Sequence, residues 1–580
     1  MRRLLFLLPF VLPAQSLADD PPSPPGSLRF DSGLVQVDAV VTGRDGKPRP
    51  GLTAGDFDVL QDGKREKITH FTYVGGQDRP AAKVAIVVDD IDLSLDAYTA
   101  IHSALTRFID LGTASVSLVY TSHGTGALRR FTSDRAVLSR ALQDSFWRPA
   151  SGLNIAFPEM SLLRELDPML AELGAIPGKK SLVLIAPRAS TQVADVRGIA
   201  DRASRASVAI YGIDANMRPH ASREGDTLSL LAAATGGRFH PDCSSIFERL
   251  IEAAEESAAY YLIGWTPGPG TFRMDPKREL QYHRVQIRPR DHSLHVRTRD
   301  GFFSRTGSAE LLPTVTGPDS IREMLDSPFG TGELDVRLTS SFQRQEAAGS
   351  YVSSMLEVAA QGLHFSQDTG GCWNARVEVA RALRAVNPGM PVNDRVNSQV
   401  VDVHTCGAEA ERVLAQGLVA AVEDRVPTAG AYQVRLAVRD ASPGGASGTA
   451  AQFLAIPDLK TSGLALSGIR LWSGSAPPPE TADVEWRHAS GGDPAVRHFA
   501  AGDEVHYSFR AFGDGAGAAD VRLRVLRDGK EAAVVQPAAL EGVMPLAGLP
   551  PGRYVVGAIA SSAAGKKSGH AEQWVDFEIR

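Results

Sequence analysis

The densest run of chemistry-bearing side chains in this sequence is Asp89-Asp90-Ile91-Asp92-Leu93-Ser94. It follows the apolar run Val84 to Val88 and precedes a stretch with helical spacing. Carboxylates and hydroxyls at such a place have a plain structural use. A helix start carries unpaired N–H groups and partial positive charge, which acidic and hydroxyl side chains cap. On the residues alone, capping of the first helix by this acidic cluster is the expectation.

Other chemistry finds little support. The chain has no Gly-x-Ser-x-Gly elbow, no His-Glu-x-x-His, no phosphate loop and no dinucleotide glycine fingerprint. Its 14 histidines are scattered, and His220, His240 and His283 fall among loop signals, where solvation is expected. No catalytic residues are assigned, and the chain is expected to be non-enzymatic. The cysteines Cys243, Cys372 and Cys406 match no zinc pattern. In an oxidising compartment Cys372 and Cys406 pair and leave Cys243 over; three unpaired thiols is an equal alternative.

The elements that position these groups can be read from periodicity. Val35 to Val41 alternates, Asp45-Gly46 and Asp62-Gly63 mark turns, and Phe57 to Leu60 lies between them, as in a small antiparallel sheet. From Lys83 the pattern changes to continuous apolar runs at Val84–Val88, Val116–Tyr120, Leu182–Ala186 and Val208–Ile213, separated by helical stretches. Ile101, Leu105 and Phe108 mark the first helix. Alternating β and α units with strands buried on both faces imply a doubly wound, mostly parallel sheet. Ligands of such sheets bind at the carboxyl ends of the strands. Alternation resumes at Tyr260–Trp265, His283 to Ile287 and Leu294 to Val296. The two alternating segments are expected to pair into one β platform around the α/β region, with Phe57, Val59, Val285 and Ile287 in one core. The remainder reads as all-β, and Gly430-Ala431-Tyr432 and Gly552-Arg553-Tyr554 resemble the tyrosine corner of immunoglobulin-like sandwiches.

At the amino end, Arg2-Arg3, the apolar run Leu4 to Leu12 and Ser16-Leu17-Ala18 read as a secretory signal cleaved after Ala18. That run is too short to span a bilayer, and no later stretch approaches the length needed. The expected location is periplasmic or secreted. A net charge of −6 without a basic block argues against nucleic acid as a partner and leaves an unidentified protein as the expected one.

Several segments carry a family resemblance in order along the chain. They are Ser32-Gly33-Leu34-Val35-Gln36-Val37-Asp38, Asp45-Gly46-Lys47-Pro48, Gly51 to Val59, Val84 to Asp90, Thr235-Gly236-Gly237-Arg238, Tyr260 to Trp265 and Arg297 to Phe303. Together they resemble the von Willebrand factor type A-related proteins of acidobacteria over roughly residues 30 to 305. The segment Ala451 to Leu459 is similar to the β-rich extension of that family. The resemblance implies a domain used in adhesion and protein binding, where a loop-borne metal bridges to a partner's carboxylate.

It also implies a ligand set: Asp-x-Ser-x-Ser after the first strand, a threonine from a second loop and an aspartate after the fourth strand. Mg²⁺ takes about six hard oxygens in near-octahedral array. Here the set is degenerate. Read from Asp89, both serines are replaced, by Ile91 and Leu93; read from Asp90, oxygen ligands remain at Asp90, Asp92 and Ser94. Leu153 stands where the threonine is implied, and Pro187 where the aspartate is. Weak or absent metal binding and no cofactor are therefore expected, with a working Mg²⁺ or Ca²⁺ site at Asp89, Asp90, Asp92 and Ser94 as the alternative.

The combined expectation is a multidomain α/β plus all-β protein with a doubly wound, Rossmann-like type A domain flanked by β strands and followed by two immunoglobulin-like β-sandwiches. Its parts are a signal (1–18), a leader (19–27), a β segment (28–75), the α/β domain (80–258), the completing strands (259–305) and two sandwiches (330–460 and 465–580). The expected role is adhesion or envelope scaffolding. A hydrolase that uses the type A domain for targeting is the rival from another class.

Overall fold

The alternation that opens at residue 35 is realised as β1 (Val35–Thr42), with Val35, Val37, Ala39 and Val41 buried. The computed structural model describes residues 34–76, 81–91, 93–122, 131–143, 145, 147, 158–186, 196–215, 227–268, 271–272, 281–304, 321–326, 333–345, 349–385, 396–426, 428–458, 463–474, 486–489, 492–536, 538–544, 546, 548–562 and 569–580. The secretory signal and leader expected over 1–27 lie outside them. β2 (Phe57–Gln61), β3 (Lys64–Glu66) and β4 (Ile68–Val74) follow. Asp62 and Gly63 turn between β2 and β3 at φ 50° and 81°, the left-handed pair that a tight hairpin requires.

Next come β5 (Ala82–Val88), α1 (Leu95–Leu111), β6 (Ala114–Tyr120), α2 (Arg135–Gln143), α3 (Pro158–Ala175), β7 (Lys180–Ala186), α4 (Val196–Arg205), β8 (Val208–Asp214), α5 (Thr227–Thr235), β9 (Phe239–His240) and α6 (Ile246–Ala258). The strands form a parallel sheet in the order β6-β5-β7-β8-β9. Side chains of a strand alternate between faces. Val84, Ile86 and Val88 pack with Ile101, Leu105 and Phe108 of α1 and Leu250 of α6. Ala85 and Val87 pack on the opposite side with Leu166 and Leu170 of α3, Ile199 of α4 and Leu228 of α5. This double burial explains the continuous apolar runs.

The chain then returns to its beginning. β10 (Tyr260–Trp265) pairs with β1 and β4, and β11 (Tyr282–Pro289) pairs with β2. β12 (His295–Arg297) pairs with β1, and β13 (Gly301–Phe303) with β11. Phe57, Val59, Tyr261, Ile263, Trp265, Val285 and Ile287 share one core, so the α/β sheet is an insertion between two halves of a β platform.

The junction of the two explains two of the motifs. Glu256, 3% exposed, meets the Arg297 guanidinium and accepts from the Tyr211 phenol. Arg299 donates to the Gln36 carbonyl at 2.7 Å. Gly236, at φ 78°, lies against the backbone of Thr298, where an added Cβ would stand 2.9 Å from the carbonyl carbon. At Gly237 the same atom would stand 1.9 Å from the Ile210 carbonyl oxygen. Thr235-Gly236-Gly237-Arg238 and Arg297 to Phe303 are thus two sides of one seam.

Beyond it lie α7 (Ile321–Asp326), β14 (Val336–Gln345), β15 (Gly349–Val358), β16 (Ser366–Gln367), β17 (Trp373–Ala385), β18 (Val396–Thr405), α8 (Gly407–Gln416), β19 (Leu418–Arg425), β20 (Gly430–Asp440) and β21 (Ser447–Ile456). β14, β15 and β19, with the short strand Arg487–His488 from the segment expected in the second sandwich paired to β19, make one antiparallel sheet, and β16, β17, β20 and β21, with β18 on β17, make another. Val352, Leu356, Val377, Val379, Val434 and Leu436 belong to one core between them. In the last region, Arg470–Ser473, Val505–Ser508 and Glu541–Met544 form a three-stranded sheet. His498–Phe499, Gly569–Ile579, Gly552–Ser562, Asp520–Arg527 and Lys530–Val535 form a five-stranded one, around Leu471, Val505, Leu523 and Val556.

The molecule is therefore mixed α/β, with one parallel sheet and several antiparallel ones. The expectation that everything after residue 330 is strand needs correcting at α8, which buries Ala410 and Val413 at helical spacing and ends at Gly417. Cys372 and Cys406 are disulfide-bonded, and Cys243 is buried. No helix of the described residues is long and apolar enough to cross a membrane.

Candidate functional site

β5 is the strand at which the sheet order reverses: the chain runs outward to β6, then crosses back past β5 to β7. A crevice at the carboxyl ends is the consequence of such a reversal, and the residues that follow β5 are Asp89 and Asp90. Asp89 is held by the sheet itself, its N–H donating to the Ile185 carbonyl of β7 at 2.8 Å. Its side chain is turned inward, 3% exposed.

The partners of both carboxylates come from the end of β6. Thr121, whose N–H bonds to the Val88 carbonyl at 3.0 Å, donates its hydroxyl to Asp89 Oδ1 at 2.6 Å. The same hydroxyl lies 3.3 Å from Asp90 Oδ1. Ser122 gives Asp90 two more donors, its N–H to Oδ1 at 2.9 Å and its hydroxyl to Oδ2. Two adjacent strand ends thus hold two carboxylates in a small hydroxyl cradle. The negative charge is felt nearby: burial first, and the Asp90 carboxylate in addition, push the Tyr98 phenol of α1 above its ordinary range. That phenol meets the Ser145 hydroxyl at 3.0 Å.

Ser94 does something else. It is the N-cap of α1, and its Oγ accepts from the Ala97 N–H at 3.2 Å. Within the cluster it is Ser94 that caps this helix, while the Asp89 and Asp90 carboxylates accept from Thr121 and Ser122 at the end of β6. Asp92, Leu153 and Pro187 lie outside the described residues. Of the four candidate ligands, the structure brings Asp89 and Asp90 together and gives Ser94 a separate task.

Thr121 and Ser122 escaped the sequence reading. Their signal was present, since two hydroxyl residues follow the apolar run of β6 directly, but only strand order reveals that β6 borders β5.

Among the described residues, Asp89, Asp90, Thr121 and Ser122 bring hard oxygens of the kind Mg²⁺ takes to one place, where the two hydroxyls bond to the carboxylates, while Ser94 is committed to the helix. What the arrangement offers is two carboxylates held at adjacent strand ends, Asp89 buried and Asp90 half-buried.

A second concavity lies at the seam between the α/β sheet and the platform. It is lined by Asp38, Lys179, Thr235, Gly236, Arg297 and Arg299, among others. Burial pushes the Lys179 ammonium and the Arg299 guanidinium below their ordinary ranges, while Asp38 opposes that shift in both. Its residues are those that clamp the two parts together. No family model and no curated protein matches the chain.

Proposed function

We propose that this chain is an exported binding protein built on a von Willebrand factor type A-like domain, acting in adhesion or envelope scaffolding without catalysis. The observation that carries the reading is the Asp89–Asp90 pair, cradled by Thr121 and Ser122 at the carboxyl end of the strand where the sheet order reverses. Ligands of doubly wound sheets are held at that place. Because the carboxylates already accept from neighbouring hydroxyls, the site presents negative charge rather than a metal's vacant position. A basic group on a partner protein complements it.

The two β-rich regions are read as immunoglobulin-like sandwiches. The support is local. The Tyr432 phenol donates to the Thr428 carbonyl at 2.8 Å and the Tyr554 phenol to the Pro550 carbonyl at 2.6 Å. Each ties the loop before a late strand to that strand, as a tyrosine corner does.

The test is affinity capture from envelope extract with the mature chain, comparing wild type with Asp90→Ala and Thr121→Val, each with Mg²⁺ and with EDTA. Recovery of one protein by wild type in both buffers, lost in Asp90→Ala, supports the reading. Equal recovery by all three chains would remove the site. Recovery that requires Mg²⁺ would replace the reading with metal-dependent adhesion.

A further inference from the structure

The disulfide between Cys372 and Cys406 joins the residues just beyond the paired ends of β17 and β18, where the last register pair is Trp373 and Thr405. Cys406 is exposed and Cys372 half-buried. Exposed disulfides are the labile ones, open to attack by thiols, whereas structural bridges resist them.

Three features around Cys406 bear on its sulfur. It is the residue from which α8 starts, and it has no side-chain cap of its own. The positive end of a helix lowers the pKa of a thiol placed there. His404 puts its Nε2 3.5 Å from Cys406 Sγ, and its Nδ1 lies 2.7 Å from the Asn374 side-chain oxygen. An amide oxygen only accepts, so Nδ1 carries the hydrogen and Nε2 is the atom that faces the sulfur. Protonated, that nitrogen is a cationic donor to a thiolate.

Asn374 is fixed from behind, its amide nitrogen 3.4 Å from Asp368 Oδ2. The Cys372 N–H bonded to Asp368 holds that carboxyl below its ordinary range, and His404 adds to the effect. Two carboxylates oppose a thiolate here: Asp368, which accepts from the Cys372 N–H, and Glu409 in the first turn of α8, whose carboxylate is turned to His488 and Arg412.

We propose that Cys372–Cys406 is a thiol–disulfide exchange centre for dithiols, with Cys406 as the sulfur attacked and His404 as the group that holds its thiolate. One thiolate of the dithiol attacks Cys406 Sγ. The Cys372–Cys406 bond breaks, and Cys372 leaves with the electron pair and takes up the proton the dithiol lost. The second thiol, once deprotonated, attacks the dithiol sulfur of the mixed disulfide and expels Cys406 as a thiolate beside His404, which takes the second proton. Two electrons pass from dithiol to protein, and the dithiol leaves as its own disulfide. Run backward, the reduced pair reduces a partner disulfide. Asn374 is a positioning residue in this scheme.

The experiment uses the full chain, reduced with dithiothreitol, desalted without oxygen and alkylated with iodoacetamide between pH 5 and 9. Peptide mass spectrometry follows Cys372, Cys406 and Cys243 separately. Cys406 is expected to react at pH 6 about tenfold faster than glutathione, with a pH midpoint below the usual thiol value of about 8.5. His404→Ala, a change at an exposed position, should leave thermal unfolding of the oxidised chain unchanged, raise that midpoint and slow labelling at pH 6 about tenfold. Asn374→Ala should move the midpoint part of the way. In Cys372→Ser, the Cys406 thiolate should form a lasting mixed disulfide with excess oxidised glutathione, because no Cys372 thiol is left to expel it. Three outcomes overturn the proposal: a bridge that dithiothreitol reduces only after unfolding, a Cys406 midpoint equal to that of glutathione, or a profile that His404→Ala leaves in place.

Discussion

Nε2 of His498 accepts from the Arg337 guanidinium at 3.2 Å, which ties the short strand His498–Phe499 of the second β-rich region to the first strand of the other. Arg580 stands at 3.2 Å from the same nitrogen. Guanidinium groups only donate, and the Glu578 carboxylate stands at 3.3 Å from that nitrogen as well.

That arrangement predicts acid sensitivity. Burial first, then Arg337, Arg580 and Arg497, push His498 down from 6.5 to about 3, although Glu578 and Asp576 lie close. Between those values the unfolded chain binds a proton that the folded chain refuses. Stability from this group is therefore complete above about pH 6.5 and declines as the pH falls toward 3. Urea midpoints measured from pH 7.5 to 4.5 should show the decline, and His498→Gln should flatten it. An unchanged slope in the variant would show that other groups control acid unfolding.

At the seam, the glycines set a steric limit. Gly237→Ala places a methyl where the Ile210 carbonyl oxygen stands 1.9 Å away, and Gly236→Ala adds strain at a φ of 78°. Each change is expected to cost about 1–3 kcal/mol, as overpacking does, and Gly237→Ala the more. Chemical denaturation gives the number. A loss below about 0.5 kcal/mol in both would mean that the turn after α5 moves away from β8 and from Thr298 without penalty.

The tyrosine bonds give a smaller prediction. Tyr432→Phe and Tyr554→Phe each remove one phenol bond to a backbone carbonyl while keeping the ring. A loss of about 1 kcal/mol apiece is expected. The two lie in different cores, so the double variant should show additive losses.

Ser94 and Thr121 separate structure from binding at the strand-end site. Ser94→Ala removes the cap of α1 and should cost about 1 kcal/mol without altering partner capture. Thr121→Val releases a bond to the buried Asp89 and should weaken capture, with a loss of stability of about 1–3 kcal/mol. The reverse pattern would assign the binding role to Ser94.

Much of the frame was legible from alternation alone. Phe57, Val59, Val285 and Ile287 were expected in one core and are found in one, because period-two burial repeats on both sides of the α/β region. The carboxyl end of the strand Val84–Val88 could be located from its apolar run. The partners of Asp89 could not, since contact between the ends of β5 and β6 depends on strand order, which periodicity does not encode. Ser94 was read among ligands because its spacing from Asp90 suits a loop site, yet the first free N–H groups of α1 claim it. α8 was missed because Ala410 and Val413 are its only buried residues, too few to interrupt a pattern of strands.

The insertion of the α/β sheet into the platform has a kinetic consequence. Leu52 bonds through its N–H to the Tyr261 phenol across 209 residues, and every β1–β10 pair spans a comparable loop. The entropy of closing so long a loop is spent before those contacts form, and contacts of this kind slow folding. A preformed α/β sheet shortens the effective loop, because it carries the ends of β4 and β10 to neighbouring positions. The platform is therefore expected to acquire its structure last during refolding. Amide protection in β1 should lag behind that in β5 and β7, and a chain stalled before residue 260 would hold residues 34–74 open to proteases.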